Sequence, residues 1–504
     1  MRELFAPALA TCVHMSLVGS KQALLPHILS EHVADPGDLA KVLGRLALLT
    51  SLSAVVCMPV MSAVAGRGWH RAMALVAVAF DVFVEACYSH RAVFGSARAL
   101  AALAVVHGAS VVVVALSQSA MVARREGEGQ HDDEGKVEGG RGALLTSRYG
   151  ALGGAMSLGG VAGATLGTLA YHRLGPAAPF RAGSAASLVS LVVVFLRWPR
   201  RLPKAKAGDV EDASRARLLG GEPEESGDES PRRGRRRRGL ARWCGAAAAD
   251  VFRGFRVLAV APVSRRAFLL FLSFALDHSG VAVAAILFPY FKFKFGMRQA
   301  TFAALLTLTH VLRFVAQGLA LPSLPERVLG PRRRQRLLLL AQVAKAAECL
   351  GLLLARSPGQ VAAASALVVV AGLAEPLMRA ELMLEVPDDD AAHVKGALAV
   401  VVLFCSRGFG PYVSGWLFAL GTAPAAAAAF PVLAPGAVFL LAGALFCAAA
   451  AAVVEADKCP RNDGTREREL SQILDVFGKE TAEVAPPDPR PTSRPVRARA
   501  HRSS

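Results

Sequence analysis

Long apolar stretches recur along the chain, and most are long enough to cross a lipid bilayer. A transmembrane helix needs about 20 mostly apolar residues, and stretches of this kind occur here in two groups of six. They are blocks with few charges inside, without the half-buried period of surface helices, which favours helices that satisfy their backbone groups in lipid. The predicted spans are residues 5–28, 43–64, 71–88, 97–121, 148–171, 180–198, 266–290, 299–320, 334–355, 359–380, 394–420 and 431–454.

The two groups predict an all-α membrane protein with about twelve transmembrane helices in two six-helix bundles. Duplicated six-span halves are typical of secondary transporters, because two halves can rock around a shared site near the bilayer midplane. We assign residues 1–198 to the first bundle and 266–454 to the second. The polar segments 199–265 and 455–504 are rich in arginine and proline, and we expect both to be disordered.

Composition and charge agree with this class. Hydrophobic residues make up 53% of the chain, and the mean hydropathy is +0.40. The formal net charge is +18, and basic residues cluster in the central segment 199–265, which we call the insert, and in the tails. Because cytosolic loops carry the excess of lysine and arginine, both termini and the insert are predicted to be cytosolic. The arginine run at 232–238 favours anionic lipid headgroups as a partner, and no nucleic-acid partner is expected.

No pattern in the chain indicates an enzyme or a bound cofactor. The eight cysteines are scattered, without metal-ligand or redox spacing. The histidines also lack metal-ligand spacing, and no glycine-rich phosphate loop is followed by Lys-Ser or Lys-Thr. We therefore expect no metal, no cofactor, no catalytic residues and no ATP-driven pump.

The loops of the second half resemble those of the major facilitator superfamily. Gly330-Pro331-Arg332-Arg333 stands where that family has Gly-x-Arg-Arg between spans 8 and 9. Pro387-Asp388-Asp389-Asp390 looks like its entry to span 11, and Gly408-Phe409-Gly410-Pro411 with Gly415 looks like the glycine-proline bend inside that span. The arrangement is most similar to the tetracycline-resistance and hippocampus-abundant-transcript branch. The resemblance implies a twelve-helix transporter with helix packing and gating at these positions.

The first half repeats these features more weakly. Gly68-Trp69-His70-Arg71 follows span 2, and span 5 contains Gly159, Gly163 and Gly167. Glycines at four-residue spacing allow two helix backbones to touch. Two charges that the family usually carries are missing, since Ala65 and Ala104 occupy the positions of an acidic residue and an arginine. Their absence counts against proton-driven antiport.

Polar side chains at membrane depth are the candidate substrate-pathway residues, because such groups are costly in lipid and usually face a cavity or a partner. In the resembling fold, spans 1, 4, 7 and 10 line the central cavity. Asp277 and His278 in span 7 could bind a cation or exchange protons, while Arg407 in span 11 would favour an anion. The other candidates in spans 1, 8 and 10 are His14, Lys21, His310, Arg313 and Glu375.

Each candidate also has a structural interpretation. Glu375 and Arg379 have the spacing of a pair on one helix, and either Glu375 or Asp277 could be the partner of Arg407. Lys21 could reach an interface. Two further sets, Asp81 with Glu85 in span 3 and Lys345 with Glu348 in span 9, are interpreted as structural pairs or interfacial groups.

Two functions follow from the sequence. The first is a secondary active transporter that moves a small organic solute by alternating access, with protons or another ion as the coupling species. We further hypothesise that Asp277, Arg313 and Arg407 face one central cavity. The alternative is a non-transporting membrane receptor or assembly protein on the same scaffold, which the missing charges at Ala65 and Ala104 would favour.

Overall fold

The computed structural model consists almost entirely of helices, and no strand occurs within its described residues. These are residues 5–64, 69–117, 138–198, 249, 252–260, 264–325, 329–430 and 433–460. Gly68, Ala65, the arginine run at 232–238, most of the predicted insert and the tail beyond residue 460 lie outside them. A long helix occurs at each of the twelve predicted spans, which confirms the predicted all-α fold class.

The described part of the chain contains twelve long helices: α1 Phe5–Leu29, α2 Pro36–Val64, α3 His70–Tyr88, α4 Ala97–Ser110 with its continuation to Ser117, α5 Glu138–Leu174, α6 Ala178–Arg197, α7 Arg265–Phe295, α8 Gln299–Ser323, α9 Pro331–Leu354, α10 Pro358–Glu385, α11 Asp388–Thr422 and α12 Leu433–Asp457. Ten are apolar and long enough to cross a membrane; α1 and α3 are not among these. Both carry charged or titratable residues inside their apolar sequence, including the buried ones described below.

Several helices are irregular in the middle. A 3₁₀ turn at Ala282–Ile286 interrupts α7, and π-helical segments occur at Phe314–Ala320 in α8 and at Val402–Phe409 in α11. Gly296, in the left-handed region with φ of 59°, ends α7. Only a residue without a Cβ adopts this conformation at little cost, which explains the glycine at the turn into α8.

The helices pack in two sets along the chain. In the first set α1 contacts α5 and α6, α2 contacts α4, and α3 contacts α4 and α6. In the second set α7 contacts α10 and α12, and α9 contacts α10 and α12. The two sets meet mainly where α2 packs on α11 and α5 packs on α8 and α10. The domain boundaries at 198 and 266 stay a prediction.

Small residues bring helix backbones together within and between the sets. Gly159, Gly163 and Gly167 of α5 lie against α1, where a side chain on Gly163 would collide with the carbonyl oxygen of Ser16. In α11, a side chain on Gly415 would collide with Ala40 of α2, and one on Gly410 with Ala282 of α7. These contacts depend on glycine because any Cβ would push the helices apart.

A large apolar cluster closes the end of the molecule where α1 ends and α2 begins. Leu24 and Ile28 of α1 and Leu39 of α2 belong to this cluster, together with Tyr88, Phe94 and Phe180 of the first half. Four helices of the second set contribute further aromatic side chains. These aromatic side chains include Phe288, Tyr290, Phe302, Phe418 and Phe439. A second apolar cluster consists mainly of residues from the second set of helices. A third consists mainly of residues from the first set. The polar residues described next are therefore positioned by well-packed helices.

Candidate functional site

Five ionisable side chains of α1, α3 and α4 form what we call the first-half polar cluster: His14, Lys21, Asp81, Glu85 and His107. His14 Nδ1 lies 2.8 Å from Asp81 Oδ2, and His107 Nδ1 lies 3.9 Å from Asp81 Oδ1. Lys21 Nζ lies 2.6 Å from Glu85 Oε1 and 3.5 Å from His107 Nδ1. The two imidazoles stack with their centroids 5.8 Å apart.

This cluster explains how α1 and α3 remain compatible with a bilayer. His14 and Lys21 are seven residues apart on α1, and Asp81 and Glu85 are four apart on α3, so each set lies on one helix face. The two faces meet, and both carboxylates are almost fully buried. Asp81 therefore pairs with His14, and Glu85 pairs with Lys21, across the two helices. Sequence reasoning did not include His107 among the candidates, since it lies alone in an apolar stretch.

In α7, Asp277 is fully buried and pairs with Lys345 of α9, with Nζ 2.6 Å from Oδ1. Lys345 also lies 5.5 Å from the ring centroid of Phe446 in α12. The neighbouring His278 is buried against Phe274, and within the described residues neither of its ring nitrogens has a hydrogen-bond partner. Asp277 thus points to a lysine of its own helix set, while His278 retains unused hydrogen-bonding capacity.

Glu375 and Arg379 of α10 form the pair that their spacing predicted. Arg379 donates from Nε and from one terminal nitrogen to Glu375 Oε1, at 3.1 and 3.0 Å. The guanidinium of Arg379 also lies 5.2 Å from the ring centroid of Phe274. Glu375 acts electrostatically on His278 as well, so α7 and α10 contribute to one charged region.

Arg407 lies in the π-helical segment of α11, half-buried at the junction of the two helix sets. Its guanidinium is 4.0 Å from the sulfur of Met15 in α1. It interacts electrostatically with Glu375 and with His107, but no carboxylate of the described residues is within ion-pair distance of it. π-Helical segments are rare and often occur at functional sites. This location therefore supports Arg407 as a candidate functional residue.

The two candidates of α8 lie elsewhere. His310 packs its ring on Gly160 of α5, and Arg313 lies beside Gly372 of α10 and interacts electrostatically with Glu348 of α9. No hydrogen bond or ion pair among the described residues joins Arg313 to Asp277 or to Arg407. The hypothesis that these three share a cavity therefore stays a prediction, and the structure gives each of them different neighbours.

A second buried cluster, at the end where α10 ends, was not anticipated from the sequence. Arg266 at the start of α7 lies 3.0 Å from Glu381 and 2.7 Å from Glu385 of α10. Arg334 of α9 lies 2.7 Å from the same Glu381. A usable signal was present, since Glu381 and Glu385 share a helix face at the end of a span.

The resemblance assigned the neighbouring arginines a packing and gating role. Arg332 and Arg333 are exposed, and the buried arginine is the next residue, Arg334. Gly330 precedes α9 as its N-cap. In the first half, the guanidinium of Arg71 lies 4.7 Å from the ring centroid of Phe195, and Trp198 Nε1 donates to His70 Nδ1 over 2.8 Å. The two halves therefore use different contacts at these related loops.

Solved structures show which fold this is. No protein-family profile and no curated protein sequence matches the chain. The human organic anion transporter MFSD10 (TETRAN) is 18% identical, with 88% of this chain and 99% of that chain covered and a TM-score of 0.55. The nucleoside transporter NupG is 14% identical, with 91% and 100% covered and a TM-score of 0.57.

The D-xylose–proton symporter is 13% identical, with 90% of this chain and 96% of that chain covered and a TM-score of 0.58. A further similar structure is described as a major facilitator superfamily proton:xylose symporter, XylE. The chain accordingly has the multi-pass membrane fold of the major facilitator superfamily, as the resemblance in its loops and glycines predicted. The narrower branch within the superfamily stays a prediction.

Proposed function

We propose that this protein is a secondary active transporter that moves a small organic solute across a membrane by alternating access. The observation that carries the proposal is the placement of ionisable side chains at membrane depth in a major facilitator fold. They come from α1, α3 and α4 of one helix set and from α7, α10 and α11 of the other. Intramembrane ionisable residues commonly mark substrate or ion pathways.

The similar structures define the solutes to test first. Their names describe transporters of organic anions, nucleosides and xylose. Purified protein is reconstituted into vesicles, and uptake of radiolabelled members of these three classes is measured with and without a pH gradient. Accumulation above the outside concentration supports secondary transport, and its dependence on the gradient identifies protons as the coupling species. No uptake of any class under either condition contradicts the proposal.

A thermal-stability screen complements uptake, because a ligand that binds only the folded protein raises the melting temperature. A compound at a hundred times its dissociation constant stabilises by about 2.7 kcal/mol. Compounds that raise the melting temperature are then tested for uptake.

The alternative is a non-transporting receptor or assembly protein on the same scaffold. It is favoured by Ala104, which is buried in α4 where the resembling family carries an arginine, and by the pairing of Asp277 within its own helix set. The two functions differ in one measurement. A receptor is stabilised by its ligand without moving it, whereas a transporter also accumulates it in vesicles.

A further inference from the structure

The charges at membrane depth do not balance around α10 and α11. Among the described residues of α1, α3 and α7, the buried carboxylates Asp81, Glu85 and Asp277 have a basic partner within 3.0 Å, namely His14, Lys21 and Lys345. Glu375 of α10, whose side chain is 39% exposed, pairs with Arg379 at 3.0 Å. Arg407 has no such partner, and its polar contact is with the thioether of Met15. Among the described residues two guanidiniums near α10 are thus without an ion pair: Arg313, which interacts electrostatically with Glu348 of α9, and Arg407.

The nearest acidic group does not remove this excess. Glu375 interacts electrostatically with Arg407, but its Oε1 already accepts two hydrogen bonds from Arg379. Two guanidiniums thus share one carboxylate, which leaves a net charge of one positive unit around Glu375. A positive charge of this kind at membrane depth requires water or an anion as its partner.

A neutral donor lies in the same region. His278 is buried, interacts electrostatically with Glu375, and within the described residues makes no hydrogen bond with either ring nitrogen. A neutral imidazole has one N–H to donate and one nitrogen that accepts. His278 on α7 and Arg407 on α11 each interact electrostatically with Glu375, and each has hydrogen-bond donors that no carboxylate of the described residues uses.

We propose that Arg407 binds the negatively charged group of the transported solute, a carboxylate or a phosphate, and that His278 supplies a further hydrogen bond. This inference rests on the proposed transport function and names the substrate class of that function. A guanidinium suits the role because its planar fork matches both groups with two parallel hydrogen bonds. Its position between Met15 of α1 and α10 puts the bound anion at the junction of the two helix sets.

The test compounds share a ring and differ in one substituent, which is a carboxylate, a phosphate, a carboxamide or an amine. Melting temperature in detergent and uptake in vesicles are measured for the wild-type chain and for Arg407→Gln, Arg407→Lys and Lys41→Gln. Lys41 is the matched control, since it is a partly exposed cation of α2 that pairs with Asp38. Its replacement removes one positive charge far from Glu375 in the sequence and outside the proposed site.

We expect only carboxylates and phosphates to raise the melting temperature of the wild-type chain and to be taken up. Arg407→Gln should lower their affinity about tenfold or more, the size expected for a lost hydrogen bond to a charged group. Arg407→Lys should keep the preference for anions with weaker binding, and Lys41→Gln should match the wild type. Selectivity between the anion and its amide is a readout that a purely structural role of Arg407 would leave unchanged.

Glu375→Gln keeps the inference testable if Arg407→Gln does not fold. Removing the competing carboxylate should tighten anion binding, whereas an Arg407 that serves only Glu375 predicts no gain. Preference for amines or amides, or unchanged anion affinity in Arg407→Gln, overturns the inference and leaves the transporter proposal intact. Anion binding without uptake supports the role of Arg407 in anion binding and contradicts the transporter proposal. If no form of the compound is bound and none is taken up, the inference about Arg407 and the transporter proposal are both overturned.

Discussion

At the scale of single residues, the buried pairs link positions that are far apart in the chain. Lys21 and Glu85 are both almost fully buried, and their charged atoms are 2.6 Å apart. Breaking a buried pair by removing one partner is much more costly than replacing both partners with apolar residues, because the remaining charge has no compensation. This asymmetry makes the pair's contribution measurable.

Lys21→Met should destabilise the protein by about 3–5 kcal/mol, since Glu85 is then buried without its partner. The double variant Lys21→Met with Glu85→Met should recover most of that loss. Thermal or denaturant unfolding of the wild type, both single variants and the double variant forms the required cycle. Lys41→Met, which breaks a partly exposed pair, should cost about 1 kcal/mol or less. A double variant no more stable than either single one would refute the pairing.

The same variants separate a structural role from a transport role. If the first-half polar cluster contributes to the substrate pathway, the double variant should fold and reach the membrane normally but lose uptake. Uptake equal to that of the wild type would assign the Lys21–Glu85 pair to helix packing alone.

At the scale of helices, the contact between α1 and α5 depends on glycine. Gly163 lies against the backbone of Ser16, and Gly159 and Gly167 extend the contact by one turn in each direction. Since the backbones touch, the helices cannot accept a side chain there without moving apart.

Gly163→Leu should therefore lower the melting temperature strongly and reduce the amount of folded protein in the membrane. The matched control is Gly396→Leu in α11, where a Cβ would meet nothing within 4 Å. Leucine favours helix over glycine by nearly 1 kcal/mol, so the control should be neutral or slightly stabilising. Fluorescence-detected chromatography of both variants measures the outcome. Equal stability of the two would mean that α1 and α5 do not depend on close contact.

At the scale of the whole molecule, the two helix sets meet along α5 and α8. The hydroxyls of Thr165 and Thr307 lie 3.1 Å apart across this junction, so thiols at the same positions would come close to disulfide distance. Alternating access by rocking requires the two sets to move relative to each other.

We expect the double variant Thr165→Cys with Thr307→Cys to lose uptake on oxidation and to regain it on reduction. Each single cysteine variant, treated in the same way, is the control for effects of the oxidant and of the chain's own cysteines. Full uptake by the cross-linked protein would exclude movement between α5 and α8 during transport.

The orientation in the membrane is a further prediction at this scale. The charge asymmetry of the loops assigns both termini and the insert to the cytosol. An epitope tag placed in residues 220–240 should be protected from protease in intact cells and become cleavable after permeabilisation. Cleavage in intact cells would reverse the predicted topology.

The sequence by itself determined the helices. A backbone in lipid must satisfy its own hydrogen bonds, so long apolar blocks become helices whatever their neighbours are. Twelve blocks in two groups therefore sufficed to predict the fold. Even α1 and α3, whose charges weaken the signal, were found because their flanking residues are apolar. The pair of Glu375 and Arg379 was also predictable, because it is set by spacing within one helix.

Only the tertiary structure decided which charges meet. His14 and Asp81 are 67 positions apart, and Asp277 and Lys345 are 68 apart, and no local spacing encodes such pairs. Lys345 pairs with Asp277, although Glu348 shares its helix. Arg407 has no ion pair among the described residues, because the nearby Glu375 already pairs with Arg379. The physical reason is that helix formation is local, whereas the neutralisation of a buried charge depends on whichever helix face packs against it.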